Sequence, residues 1–259
     1  MKRKFWNFAA PEPGRGELTL YGDISDVSWW GDEVTPAQFK DDLDALGDVN
    51  ELDIYINSGG GDVFAGIAIY NMLRRHPARK TVRVDGLAAS IASVIAMAGD
   101  EIVMAENAMM MIHEAWTRVG GNKRELRKVA EELERIDGML ADTYAARTET
   151  EEAEIAAMME AETWMKAREA VEKGFADRVE PGLKAAASVR GGVLVMNGQE
   201  FDLTRYQHPP EMNDKAPEDG AREADHGGES QPVADTALKK QRQKFAATRR
   251  KILQIYGEE

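Results

Sequence analysis

Cysteine is absent from this chain, which excludes disulfides, thiol nucleophiles and Cys-ligated metal sites together. No apolar run approaches the length of a membrane span. The basic start Met1-Lys2-Arg3-Lys4 is followed only by Phe5-Trp6-Asn7-Phe8, too short for a signal-peptide core. Positive charge is also scarce: 33 Lys and Arg stand against 46 Asp and Glu, a formal net charge of −13. That balance argues against a general nucleic-acid binder and favours a self-repelling, soluble surface. There are only four histidines and no internal repeat. The expectation is a cytoplasmic protein with no membrane or nucleic-acid partner, no cofactor and no metal. Its 259 residues, 43% of them apolar, suffice for one large domain or two small ones.

What is present reads as an α/β chain. Residues 18–24 form a first strand, and Thr35-Pro36 opens a helix with proline in its first turn and Phe39, Leu43 and Leu46 on its apolar face. The loop Trp29-Trp30-Gly31-Asp32 lies between them. A strand over 52–57, the loop Ser58-Gly59-Gly60-Gly61, a helix over 63–75 ended by His76-Pro77, and a strand over 81–85 give the βαβ signature of a parallel sheet. From Gly86 to Gly99 the chain is small and apolar and reads as a buried helix. Short strands follow over 101–104 and 108–113. Gly120-Gly121-Asn122 then precedes a long helix, 123–146, with Leu126, Val129, Leu133, Ile136, Leu140 and Tyr144 at helical spacing. Such a helix can close a core or project towards another subunit. Helices over 151–161 and up to Gly174 and a last segment, 175–179, complete the domain. Beyond Pro181, residues 193–201 read as a hairpin turning at Asn197-Gly198.

Two features carry chemistry. Ser90 lies among small residues after a strand, at a predicted helix N-terminus where free N–H groups favour negative charge. It is either an N-cap or a nucleophile. A nucleophilic serine needs a base, an acid that orients the base, and oxyanion donors. His76, His208 and His226 sit at a helix end, before two prolines and in an acidic stretch. His113 ends an apolar strand, where parallel sheets present functional groups. The glycine loop is either a plain turn or a source of exposed N–H groups; without a following Lys-Ser/Thr it is not a phosphate loop.

Four segments, Ile56-Asn57-Ser58-Gly59-Gly60-Gly61, Gly86-Leu87-Ala88-Ala89-Ser90, Met111-Ile112-His113 and Ala170-Val171-Glu172-Lys173-Gly174-Phe175-Ala176-Asp177, together resemble the proteolytic subunit of the Clp proteases, in the same order and at similar spacing over 18–179. Trp6-Asn7-Phe8, Glu162-Thr163-Trp164 and Asn197-Gly198-Gln199-Glu200-Phe201 resemble the bacteriophage and prophage branch, the Clp-like head maturation proteases. The resemblance implies a ClpP/crotonase-like spiral of ββα units with a projecting long helix, and a serine endopeptidase in heptamer-like, possibly stacked rings. It implies Ser90 as nucleophile, His113 as base, Glu162 at the position of the usual aspartate, Gly61 and Ile91 as oxyanion donors, and Gly60 as substrate-binding. Gly59 stands where the family usually has proline. The substrate implied is a capsid or scaffold protein in the host cytoplasm, cleaved without ATP since the chain has no ATPase motif. A non-catalytic assembly scaffold with a vestigial site, and a crotonase-like acyl-CoA enzyme, are the alternatives.

The chain accordingly divides into an N-terminal segment (1–17), a protease domain (18–180), a small β extension (181–208), a linker (209–233) and a basic amphipathic helix (234–259). The linker's Pro, Gly, Asp and Glu predict disorder. The last helix, with Leu238, Phe245 and Ile252 on one stripe among lysines and arginines, either docks on an acidic partner or stays solvated.

Overall fold

Alternating burial of Gly16, Leu18 and Leu20 marks the strand from which the sheet is built, β2 (Arg15–Tyr21), which folds back on β1 (Trp6–Glu12) as an antiparallel hairpin. The computed structural model describes residues 4–25, 36–181, 188–190, 192–196 and 199–210. The expected loop at 29–32, the Asn197-Gly198 turn, the linker from 211 onward and the helix at 234–259 lie outside the described residues.

After α1 (Pro36–Asp44) come β3 (Glu51–Ser58), α2 (Val63–Arg75) and β4 (Arg79–Ala89). Asp62 caps α2 by accepting from Ala65 N at 2.7 Å, and extended His76 before Pro77 ends it. Next come α3 (Ile91–Ala96), β5 (Glu101–Ala105), β6 (Met109–Ile112), α4 (Lys123–Thr148), α5 (Glu152–Glu160), β7 (Thr163–Lys166), α6 (Ala167–Glu172) and β8 (Arg178–Glu180). The sheet runs β1-β2-β3-β4-β5-β8, parallel from β2 onward. A capping box between Asn122 and Glu125 opens α4, whose last third (Leu140, Ala141, Tyr144) enters the core while Leu126 stays 43% exposed. The helix both closes the core and projects.

The predicted helix from Gly86 is corrected. Residues 86–89 continue β4, and α3 spans only six residues. The first half of β4 pairs with β5, but Leu87, Ala88 and Ala89 pair with Met109, Met110 and Met111 of β6. A segment buried on both faces has no period by which to tell strand from helix. Ala88, Met110 and Ile112 face the main core. Leu87, Ala89, Met109 and Met111 face a second cluster built with Leu194, Met196, Phe201, Leu203 and Tyr206.

The residues of that second cluster beyond 181 come from β10 (Val193–Met196), β11 (Gln199–Asp202) and the 3-10 turn Leu203–Arg205 with Tyr206 after it; β9 (Ser188–Arg190) pairs with β10. Packing also crosses the boundaries drawn at 17/18 and 180/181. The first falls inside β2, and Trp6 is buried edge-on against Phe39 at 5.4 Å. The second divides residues that share one apolar cluster. All the described residues fall in one compact unit. Among them, no helix is long and apolar enough to cross a membrane.

Candidate active site

The C-terminal ends of three neighbouring strands converge on one cavity, where a parallel sheet presents its loops. β3 supplies the glycine loop, β4 ends at Ser90, and His113 comes after β6. Ser90 N–H donates to Met111 O at 2.9 Å, so the two strands are tied at the residues that lead into the site.

Ser90 occupies the N-cap position of α3 but does not act as a cap. Its side chain bonds none of the helix N–H groups, and its backbone has φ 55° and ψ −132°. A non-glycine residue at positive φ is uncommon and strained. The Ser90 hydroxyl is engaged instead by the imidazole, Oγ lying 2.8 Å from His113 Nε2. Ser93 Oγ donates to Ser90 O at 2.6 Å and is itself held by buried Tyr144, Oγ to Oη 2.8 Å. The strained residue is thus fixed from behind.

Burial pushes the His113 pKa below its ordinary value; the charge of Glu162 opposes this and that of Arg205 adds to it. The ring is therefore neutral at pH 7 and able to accept a proton through one nitrogen. Among the described residues its other nitrogen has no hydrogen-bond partner.

Glu162 is not an exposed helix carboxylate. It is 5% exposed, sits at φ 50° between α5 and β7, and its charge reaches the imidazole. Its oxygens nevertheless bond elsewhere: Oε2 accepts from Gln207 N at 2.8 Å, and Oε1 from His208 N at 2.7 Å and Trp164 Nε1 at 3.3 Å. The serine and histidine are joined by a hydrogen bond; the glutamate stands beside them without one to the ring.

The glycine loop is shaped by contacts that no side chain would allow. Ile24 N donates to Gly60 O and Asp62 N to Ile24 O, each at 2.8 Å, a parallel bridge that leaves the N–H of Gly61 facing away from Ile24. A Cβ on Gly61 would lie 1.9 Å from Ile24 O, and one on Gly60 2.6 Å from Ser90 Cβ. Gly60 N–H donates to Ser58 Oγ at 3.1 Å, so both its main-chain groups are occupied. Ile91 begins α3, so its N–H has no acceptor within that helix.

The cavity, about 200 Å³, is lined by Gly61, Ser90, His113, Trp116, Arg205 and Tyr206 among others. Nothing in the spacing of Trp116, Arg205 and Tyr206 sets them apart in the sequence. Only the three-dimensional packing of the second cluster brings the last two to the site. Among the described residues no group of three or more His, Asp or Glu is placed to hold a metal ion.

Comparison with known proteins matches residues 42–181, more than half of the chain, to the Clp protease family model. An ATP-dependent Clp protease proteolytic subunit of Deinococcus radiodurans is 33% identical over 139 residues, 53% of this chain and 68% of that one. The subunit of the same name from Pleurastrum terricola is 36% identical over 139 residues, 53% and 71% of the two chains. Proteolytic subunit 3 of Rhodococcus jostii is 35% identical over 129 residues, 49% and 63%.

Proposed function

The chain belongs to the Clp protease family, and from that premise we propose that it is a serine endopeptidase with Ser90 as nucleophile and His113 as general base. The observation that carries this is the 2.8 Å contact between Ser90 Oγ and His113 Nε2, made by a hydroxyl that its own helix does not use. The neutral imidazole takes the Ser90 proton as Oγ attacks the peptide carbonyl, then returns it to the departing amine. The N–H groups of Gly61 and Ile91 receive the oxyanion, each worth about 2.7–4 kcal/mol of transition-state stabilisation. Glu162 favours the imidazolium through its charge, in the place of the family's aspartate.

The finer reading rests on the segments that resemble the phage branch. The substrate is a capsid or scaffold protein met during head assembly in the host cytoplasm, and cleavage needs no ATP. Assembly into rings is supported by an apolar groove of about 450 Å³ between Phe64, Trp116 and the first half of α4. Trp116 and Phe64 are 52% and 65% exposed, an arrangement that marks an interaction surface.

A fluorophosphonate probe tests the mechanism. Wild-type protein is expected to be labelled at Ser90, to cleave peptides without nucleotide, and to lose both properties in Ser90→Ala. Full activity in that variant sinks the mechanism, and strict dependence on an ATPase sinks the ATP-independent reading. Mass spectrometry after co-expression with a phage capsid protein identifies the cleaved bond, and an intact capsid protein counts against this substrate.

A further inference from the structure

The family match ends at residue 181, yet the cavity is closed by residues beyond it. Leu203 and Tyr206 cover the face of β4 and β6 that carries Leu87 and Met111. Tyr206 is buried, and its Oη donates to Gly59 O at 2.9 Å, one end of the loop that carries Gly61. Its ring meets that of His113 edge to face, centroids 5.9 Å apart, and that of Trp164 at 5.2 Å. The next two residues give their main-chain N–H groups to the two oxygens of Glu162. Arg205 lies over the outer side of the tyrosine ring, 5.5 Å from its centroid, and pairs with Asp23 at 3.2 Å. One short turn therefore touches the oxyanion loop, the imidazole and the acid.

Resting on the peptidase reading, we infer that residues 203–208 complete the active site, with Tyr206 as a positioning residue that braces the glycine loop against the imidazole. The hydroxyl fixes Gly59, and through it the direction of the Gly61 N–H. The ring fixes the plane of His113 and excludes water from it. Proline would stiffen the loop at position 59, where the family usually has it; this chain has glycine there. The tyrosine supplies from outside the restraint that the loop lacks within.

The test uses the full-length protein, purified and shown folded by circular dichroism and melting. Wild-type labelling by the fluorophosphonate is the control; its absence removes the peptidase reading itself, whatever the Tyr206 variants do. Tyr206→Phe keeps the ring and loses the bond to Gly59. It is expected to lower labelling and kcat about tenfold, the worth of one hydrogen bond felt at the transition state, with the pH profile unmoved. Tyr206→Ala also exposes the imidazole; it is expected to lose about a hundredfold and to move the acid limb of the profile to higher pH. Glu162 and Arg205, the charged groups that act on the imidazole, are unchanged in both variants. A merely structural tyrosine would lower the melting temperature and leave rate and limb of the folded fraction alone. That result overturns the inference. If Tyr206→Ala does not fold, Tyr206→Phe decides: a wild-type rate there overturns it.

Discussion

A serine held at φ 55° costs on the order of 1–3 kcal/mol, and the cost is sustained because neighbours fix it from several sides. Its N–H is bonded to Met111 and its C=O to Ser93. The imidazole opposite has its own signature. Because burial depresses the His113 pKa, the imidazole stays neutral below the usual histidine value near 6.5. The acid limb of kcat/KM is expected below that value, with activity rising through it and flat above. Glu162 works against that depression, so Glu162→Gln is expected to move the limb to still lower pH while reducing the rate; pH-rate profiles of the two proteins check this. A limb that moves upward would mean that the carboxylate does not act on the ring by its charge. Ser90 and His113 were legible in the sequence because each stands where a strand ends among small or apolar residues. Glu162 was reached only through resemblance. Tyr206 was hidden, because its partners Gly59 and His113 lie far away along the chain.

Helix α2 has the bounds that the sequence assigned, because its ends are written locally, in Asp62 at one and His76-Pro77 at the other. The end of β4 is written nowhere locally. Its strand character comes from pairing with Met109–Met111 and from the layer of Leu194 and Met196 beyond, both supplied by distant sequence. The glycine loop belongs to this class of long-range feature. Gly61→Ala places a methyl against main-chain Ile24 and is expected to cost at least about 1–3 kcal/mol and to abolish labelling. Gly138→Ala is the control within α4: nothing lies within 4 Å of the added Cβ, so helix propensity alone should stabilise by about 0.5–1 kcal/mol. Denaturant unfolding of the two variants separates them; equal effects would mean that the loop yields more readily than its contacts imply.

At the scale of the whole molecule, a chain with 46 acidic residues exposes an apolar stripe on the half of α4 that leaves the core. Leu126→Glu sets a charge at 43% exposed Leu126 and, on the proposed assembly, shifts the protein to smaller species by sedimentation; an unchanged distribution would place the contact elsewhere. Helical spacing made the stripe visible, but which half was buried depended on where Leu140 and Tyr144 joined the core, the latter against Ser93 and Phe175. One bond within that sheet has a wider meaning. The link from the Ser90 amide to the Met111 carbonyl ties the strand that leads into Ser90 to the strand that leads into His113, so the ladder itself sets the spacing of the two backbones. The rungs of that ladder are buried on both faces, Ala88 and Met110 against the main core and Ala89 and Met111 against the second cluster. Moving the Ser90–His113 pair to another scaffold therefore means carrying β4 and β6 together.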